Sequence, residues 1–127
     1  MAHDSRRAER VAEGIREETA KFLSTEAKDP RIQGLVTVTA VDVTPDLRSA
    51  RIFVSIMGTD EEKTSTLEGL DSLAGYLRGQ LARALRLRFA PELAFRIDPS
   101  VERAARIEAL LSRIKDGTLP PDEDPVA

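Results

Sequence analysis

The sequence predicts an α+β domain in which a three-stranded mixed sheet carries helices on one face. Two observations on periodicity lead to this class: apolar residues recur every three or four positions in some segments, and β-branched residues dominate three shorter ones. A third is the order of these segments, which is helix, strand, strand, helix, kink, helix, strand, helix. The chain has 127 residues, of which 41% are hydrophobic and 32% charged, so it can form one core with a solvated surface.

The first predicted element is a helix from Ser5 to Ser24, with Ser5 as its N-terminal cap. Asp29-Pro30-Arg31 should end this region, because proline disfavours a helical conformation at the residue before it. We expect this tripeptide to set a turn and to form a local ion pair. The apolar stripe of the helix is Ala8, Val11, Ala12, Ile15, Thr19, Phe22 and Leu23.

A β-hairpin is expected next, with strands at Leu35–Thr44 and Ser49–Met57. The turn between them is indicated by Pro45 and Asp46. A connection this short makes the two strands antiparallel.

Alternation in the first strand of this hairpin is imperfect. It places Val38 and Ala40 on one face, with Thr39, Val41 and Val43 on the other. The dominance of β-branched residues is what favours a strand here.

The longest helical region follows a polar loop, and Ser65 and Glu68 have the spacing of a capping box at its start. Apolar residues continue at helical spacing to about Phe89, but Gly75 interrupts the run. Because glycine weakens a helix by about 1 kcal/mol relative to alanine, we expect a kink between two helices at Leu73, Ala74 and Gly75. A glycine tolerated inside one helix is the alternative.

The C-terminal part predicts a third strand, Glu92–Asp98, and a last helix from Pro99. A crossover through a helix places the second and third strands parallel. After Asp116-Gly117, three prolines and three acidic residues predict disorder. The expected organisation is a domain over residues 1–115 and a disordered, acidic, proline-rich tail over residues 116–127.

The residue inventory argues against an enzyme. The chain has no cysteine and one histidine, His3, near the N-terminus, so common nucleophile–base pairs and zinc sites cannot be assembled. We expect no catalytic residue, no metal ligand and no cofactor. No apolar run approaches the ~20 residues that span a bilayer, and charged residues follow Met1, so we expect a cytoplasmic protein without a membrane segment.

Positive charge is concentrated between Ala74 and Arg106, where seven arginines accompany three acidic residues although the whole chain carries −3. Such a patch can bind phosphate, because salt confines electrostatic fields to roughly 8–10 Å. The alternative is a solvated arginine face. Aromatic residues make up only 4% of the chain, so we expect no platform on which bases stack.

The predicted order of elements is that of a type II KH domain, in which a GxxG loop between the central helices clamps nucleic-acid backbone. At that place this chain has Leu73-Ala74-Gly75-Tyr76, with one glycine. The sequence resembles the ribosome-binding factor A family to about Ile114, because short motifs occur in matching order and spacing. These motifs are Arg7 to Val11, Lys28-Asp29-Pro30-Arg31, Val41-Asp42-Val43-Thr44-Pro45-Asp46-Leu47, Ala50-Arg51-Ile52-Phe53-Val54-Ser55, Leu85-Arg86-Leu87-Arg88-Phe89-Ala90-Pro91-Glu92-Leu93, and Arg106-Ile107.

The resemblance implies a maturation factor that binds 16S rRNA on the small (30S) ribosomal subunit. Such a factor would assist late subunit assembly and pre-16S rRNA processing without catalysing the cleavage. It would also support growth in the cold and be released by a ribosome-associated GTPase. We expect it to act as a monomer.

On this hypothesis Gly75 lets the RNA backbone approach the helix backbone. The chain departs from the family pattern at Leu73, where the Ala-x-Gly kink of the family has alanine, and at Ala104-Ala105, where a glycine is frequent. Each phosphate-binding candidate could instead be a surface residue whose stem packs over the core. The candidates are Arg78, Arg83, Arg86, Arg88, Arg6, Arg7, Arg10 and Lys28.

An alternative function is a protein-interaction module that uses the KH-like sheet without binding RNA. The acidic residues between Asp60 and Asp71, together with the acidic tail, would then matter more. Salt-dependent binding to rRNA that is lost when the arginines are reversed would separate the two hypotheses.

Overall fold

Six helices and strands follow one another in the part of the chain that the computed structural model describes, residues 2–25, 29–32, 35–115 and 117. In chain order they are α1 (Ala2–Thr25), β1 (Leu35–Val43), β2 (Ser49–Met57), α2 (Asp60–Ala84), β3 (Glu92–Ile97) and α3 (Pro99–Lys115). The chain divides into two units, residues 1–97 and 98–127. The predicted tail lies outside the described residues except for Gly117, so it remains a prediction, as does the domain over residues 1–115.

The three strands form one sheet in the order β1-β2-β3. β1 and β2 are antiparallel, with Val36 opposite Ile56, whereas β2 and β3 are parallel, with Ile52 opposite Phe95. Helix α1 packs against β1, α2 packs against β3, and the two helices contact each other, so both cover the same face. The predicted α+β class, with a three-stranded mixed sheet and helices on one face, is confirmed.

The core lies between this face of the sheet and the two helices. Burying each large aliphatic or aromatic side chain contributes about 1.5–3 kcal/mol, so the core residues hold the layers together. They include Ile15 and Phe22 of α1, Ala50, Ile52, Val54 and Ile56 of β2, Leu70, Leu77 and Leu81 of α2, and Phe95 of β3.

A β-bulge in β1 corrects the predicted faces of this strand. The pairing with β2 shifts register between Val38 and Ala40, which makes Thr39 the extra residue. One extra residue reverses the alternation, because side chains along a strand have a period of two. Val41 and Val43 therefore pack against the core, whereas the prediction placed them on the face opposite to Val38.

Both long helices begin earlier than predicted. Helix α1 begins at Ala2, so Ser5 lies inside the helix and is not its cap; an interior serine costs only about 0.5 kcal/mol relative to alanine. The capping box of α2 is formed by Thr59 and Glu62, and not by Ser65. The Glu62 N–H donates to Thr59 Oγ1 at 3.1 Å, and the Thr59 N–H donates to Glu62 Oε1 at 2.9 Å.

Helix α2 continues through Gly75 as one element, so the predicted division into two helices is wrong. The helix is held on both sides of the glycine by buried side chains, Leu70 before it and Leu77 and Leu81 after it. Their burial exceeds the cost of about 1 kcal/mol for one interior glycine.

Helix α2 ends at Ala84, earlier than the predicted end near Phe89. The Leu87 N–H donates to the Ala82 oxygen at 2.9 Å, which is the long bond of a Schellman motif. Arg86 takes the left-handed position of this motif, with φ of 53°. Glycine is the usual residue there, so its absence hid the end of the helix from the sequence pattern.

The second unit contains α3, and several of its exposed side chains are apolar: Ile107, Leu111 and Ile114. Across the described residues, no helix combines the length and apolar character that crossing a membrane requires.

Candidate nucleic-acid interface

Arg78 holds the segment that joins α2 to β3. Its Nε donates to the Pro91 oxygen at 2.8 Å and its Nη2 donates to the Ala90 oxygen at 3.2 Å. The same Nη2 lies 3.1 Å from Glu92 Oε1. The guanidinium of this predicted phosphate ligand is thus used within the chain, and its role in the structure is to position residues 85–91.

Phe89 projects from this segment, and 52% of its surface is exposed. The guanidinium carbon of Arg48 lies 4.9 Å from the centroid of the Phe89 ring, and that of Arg88 lies 5.5 Å from it. Both distances are within the range of about 6 Å for cation–π attraction. The Glu92 N–H donates to the Arg48 oxygen at 2.8 Å, which ties the hairpin turn to the start of β3 and keeps Arg48 beside the ring.

The turn between β1 and β2 is fixed by Asp46. Its carboxylate accepts hydrogen bonds from Thr44 Oγ1 at 2.7 Å and from the Arg48 N–H at 3.0 Å. These bonds hold the pKa of Asp46 below its usual value, so the carboxylate stays charged. Leu47 at the tip adopts a φ of 63°, which costs a residue with a Cβ about 1–2 kcal/mol.

The turn, the segment after α2 and the start of α1 surround a pocket of about 240 Å³, which we call the Phe89 pocket. No hydrogen bond or ion pair joins the guanidinium groups of its three arginines to any residue that the structure describes. Three positive charges and one negative charge therefore surround an exposed ring. The lining residues are Arg7, Pro45, Asp46, Leu47, Arg48, Leu87, Arg88 and Phe89.

Three of the other predicted arginines line surface hollows different from the Phe89 pocket. Arg6 and Arg10 line a different hollow, where Glu9 and Glu13 oppose them. Arg83 lines a third hollow, beside Glu18 and Lys21 of α1.

Arg86 is exposed at the end of α2, and Lys28 lies outside the described residues. Among the seven candidates that the structure describes, Arg7 and Arg88 are the ones that line the Phe89 pocket.

The predicted kink residues divide into two kinds. Leu73 and Ala74 are half-buried and pack against the core. Gly75 is exposed, and a Cβ built on it meets no atom within 4 Å. The fold itself therefore does not need a glycine at this position. The surface of α2 at Gly75 is open to a partner.

Asp29 and Arg31 form the predicted local ion pair. Arg31 Nε and Nη2 donate to the two Asp29 oxygens at 3.0 and 2.7 Å, and the Arg31 N–H donates to Asp29 Oδ1 at 2.9 Å. Ser72 Oγ of α2 donates to Asp29 Oδ2 at 2.9 Å. These bonds hold the pKa of Asp29 well below its usual range.

The segment that carries this ion pair lies close against α2. A Cβ at Gly69 would come within 2.9 Å of Ile32 Cγ1 and 3.2 Å of Arg31 Cβ. Ser65 Oγ also donates to the Arg31 oxygen at 3.1 Å. The Asp29-Pro30-Arg31 motif is accordingly a structural clasp on α2.

A family model described as ribosome-binding factor A matches residues 7–111. The chain belongs to the ribosome-binding factor A family. The relative from Gemmatimonas aurantiaca is 63% identical over 111 residues, which cover 87% of this chain and 76% of the relative. The relative from Desulforamulus reducens is 44% identical over 120 residues, which cover 94% of this chain and 99% of the relative. The resemblance inferred from the motifs is confirmed.

Solved structures of ribosome-binding factor A share the fold. The crystal structure from Thermus thermophilus matches with a TM-score of 0.61 at 26% identity, covering 71% of this chain and 94% of the other. Thermus thermophilus coordinates fitted into a cryo-electron microscopy map of a 30S complex with ribosome-binding factor A match with a TM-score of 0.53 at 28% identity. They cover 65% of this chain and 86% of the other.

Membership of a family of binding factors confirms the prediction that the chain is not an enzyme. Within the ranges that the structure describes, no group of three or more His, Cys, Asp or Glu side chains is placed to hold a metal ion. The chemistry open to the Phe89 pocket is therefore recognition through charge and stacking.

Among the residues of the Phe89 pocket that sequence reasoning missed are its aromatic ring, Phe89, and its third arginine, Arg48. Phe89 stands directly after Arg86-Leu87-Arg88, so an aromatic side chain beside two arginines was present in the sequence. Its exposure was hidden because the prediction continued α2 to that residue. Arg48 is far from Phe89 in the chain, and only the pairing of β2 with β3 brings them together.

Proposed function

We propose that this chain is a ribosome assembly factor that binds 16S rRNA on the small ribosomal subunit. The observation that carries the proposal is the Phe89 pocket, where three guanidinium groups make no hydrogen bond or ion pair with a described residue. A basic surface of this kind neutralises phosphates and releases counterions. Family membership, and the 30S complex of the Thermus thermophilus relative, support the small subunit as the partner.

The finer parts of the proposal follow the family. The factor acts late in subunit maturation in the cytoplasm and assists pre-16S rRNA processing by binding, without cleaving RNA. It supports growth in the cold, acts as a monomer, and is released from the finished subunit by a ribosome-associated GTPase. Its RNA-facing residues are the pocket arginines together with Arg83 and Arg86, while Arg78 is a positioning residue.

Co-sedimentation with isolated small subunits tests this function. We expect the wild-type protein to pellet with subunits at about 50 mM salt and to lose affinity a hundredfold or more by about 200 mM, because several phosphate contacts are made. The Arg88→Gln variant should bind more weakly and with a slope against log salt lower by about 0.7–0.9.

Arg16→Gln is the matched control, because Arg16 is half-buried and already pairs with Glu13. It removes the same charge and should leave both affinity and slope unchanged. Absence of wild-type binding to mature and immature subunits at low salt would contradict the proposal. Binding that does not change with salt would favour a contact with a ribosomal protein instead.

A further inference from the structure

Two aromatic side chains of the described residues are largely exposed, and their surroundings differ. Tyr76 is 56% exposed, and its ring centroid lies 5.9 Å from that of Phe22. Gln80 also donates a hydrogen bond to its hydroxyl at 2.8 Å. Phe89 has guanidinium groups beside it instead, so its exposed surface adjoins positive charge.

An exposed aromatic ring with arginine side chains close to it is an arrangement that proteins use to bind single-stranded nucleic acid. The base of an unpaired nucleotide stacks on the aromatic ring, and arginines take the phosphates on either side. In a duplex both faces of a base are already covered by its neighbours. The chemistry of the pocket therefore favours an unpaired nucleotide over a helix.

Strained backbone conformations occur at or next to the Phe89 pocket. Leu47 and Arg86 are the non-glycine residues with positive φ in the part of the chain that the structure describes. Leu47 lines the Phe89 pocket, and Arg86 precedes the lining residue Leu87. Strain of this kind costs about 1–3 kcal/mol per residue and concentrates at binding sites.

The positions of the arginines fit a nucleotide with its flanking phosphates. Arg7 comes from α1, Arg48 from the hairpin turn and Arg88 from the segment after α2, so positive charge approaches from three elements. The Asp46 carboxylate is directed to the turn by its bonds to Thr44 Oγ1 and the Arg48 N–H. The net charge of the pocket remains positive.

We infer that the Phe89 pocket binds one unpaired nucleotide of RNA, with the base on the ring and its phosphates on Arg7, Arg48 and Arg88. The entering base displaces a guanidinium from the ring, and that guanidinium then pairs with a flanking phosphate. This inference rests on the proposed function for the source of the RNA, but the pocket can be tested without the ribosome.

Because the chain has no tryptophan, the Phe89→Trp variant places a single tryptophan in the pocket, which can be excited selectively over Tyr76. We expect a short single-stranded oligoadenylate to quench its emission through stacking. An RNA duplex and an abasic oligonucleotide of the same length, which offer phosphates without a free base, should not quench it. Met57→Trp is the control, since Met57 is also exposed but lies at the end of β2 opposite to the hairpin turn that carries Arg48.

Binding by a variant without tryptophan checks that the introduced indole does not itself create the affinity for RNA. The Phe89→Leu variant keeps an apolar side chain but removes the ring, and it should bind oligoadenylate and small subunits about tenfold more weakly or worse. Met57→Leu should bind both as the wild type does, because Met57 is exposed at the end of β2 opposite to the hairpin turn. Circular dichroism spectra and thermal midpoints of the variants establish that each one is folded.

The outcomes separate this inference from the proposed function. Small-subunit binding without quenching by oligoadenylate, and with full affinity in Phe89→Leu, overturns the nucleotide pocket and leaves the function standing. Quenching by whole subunits but not by oligoadenylate or protein-free 16S rRNA assigns the pocket to an acidic peptide of a ribosomal protein and also overturns it. Quenching by oligoadenylate without any subunit binding supports the pocket and contradicts the proposed function.

Discussion

Arg78 Nε lies 2.8 Å from the backbone oxygen of Pro91 and donates a hydrogen bond to it. Pro91 is buried, and its neighbour Ala90 is held by the same guanidinium. The contact fixes the path by which the chain leaves α2, presents Phe89 to solvent and enters β3. A side chain that looks like a phosphate ligand in the sequence is therefore a support for the pocket.

Replacing Arg78 by methionine should lower the free energy of unfolding by about 1–3 kcal/mol. The aliphatic stem is kept, but two backbone oxygens lose their charged donor. Urea unfolding followed by circular dichroism measures the change. Arg83→Met serves as the control and should stay within about 0.5 kcal/mol of the wild type, because Arg83 is exposed; equal losses in both variants would contradict the structural role.

Gly75→Ala should raise the free energy of unfolding by about 0.5–1 kcal/mol. The residue lies inside a continuous helix, and a Cβ there meets nothing within 4 Å. Thermal unfolding measures the gain, and a loss of stability would show that the helix needs glycine for its shape. If an RNA backbone approaches this surface, the same variant should also bind small subunits more weakly, so stability and affinity would move in opposite directions.

Arg86→Gly should stabilise the protein by about 1 kcal/mol, because glycine takes the left-handed position of the Schellman motif without steric cost. Arg86→Gln loses the same charge but keeps the strain, so its stability should match that of the wild type. Urea unfolding compares the two variants. If Arg86 contacts phosphate, both should weaken subunit binding equally; full affinity in both would remove Arg86 from the interface.

Asp29 should make stability depend on pH on the acid side. Its hydrogen bonds with Arg31 lower the pKa of the folded-state carboxyl. Its stabilising contribution is therefore complete above the unfolded-state pKa of about 4 and is lost as pH falls towards the lower folded-state value. The Asp29→Asn variant should be less stable than the wild type at about pH 7, and the difference should shrink below about pH 3.

The pH dependence of this difference is measured by urea unfolding at several pH values. Asp71→Asn on the exposed surface of α2 is the control and should differ little from the wild type at any pH. A gap between wild type and Asp29→Asn that stays constant from neutral to acid pH would contradict the ion-pair explanation.

The elements of the fold were predictable because each has a local pattern. The alternation from Ala50 to Ile56 and the helical spacing of Leu70, Leu77 and Leu81 both correspond to buried faces in the structure. The boundaries were less predictable, because Thr59 and Ser65 are both good caps and the choice between them depends on packing. The bulge at Thr39 has no local signal beyond imperfect alternation.

The candidate site was predictable only in its composition. Arg7 and Arg88 could be named from the clustering of charge, but the separation of Arg78 from them could not. Arg78 differs from the pocket arginines because it donates to the backbone oxygen of Pro91. Whether an arginine reaches such an oxygen depends on how the chain folds around Pro91. Arg48 joins the pocket because a hairpin turn lies beside the entrance to β3, and sequence separation conceals such a contact.

The parallel pairing of β2 with β3 also determines the order in which this protein can be built during its own synthesis. The hairpin of β1 and β2 closes through a short turn. Ser49, by contrast, pairs with Glu92, and the whole of α2 separates these two residues in the chain. Local contacts form faster than distant ones. A nascent chain therefore carries an open edge on β2 until β3 leaves the ribosome, and the bond from the Glu92 N–H to the Arg48 oxygen can form only then.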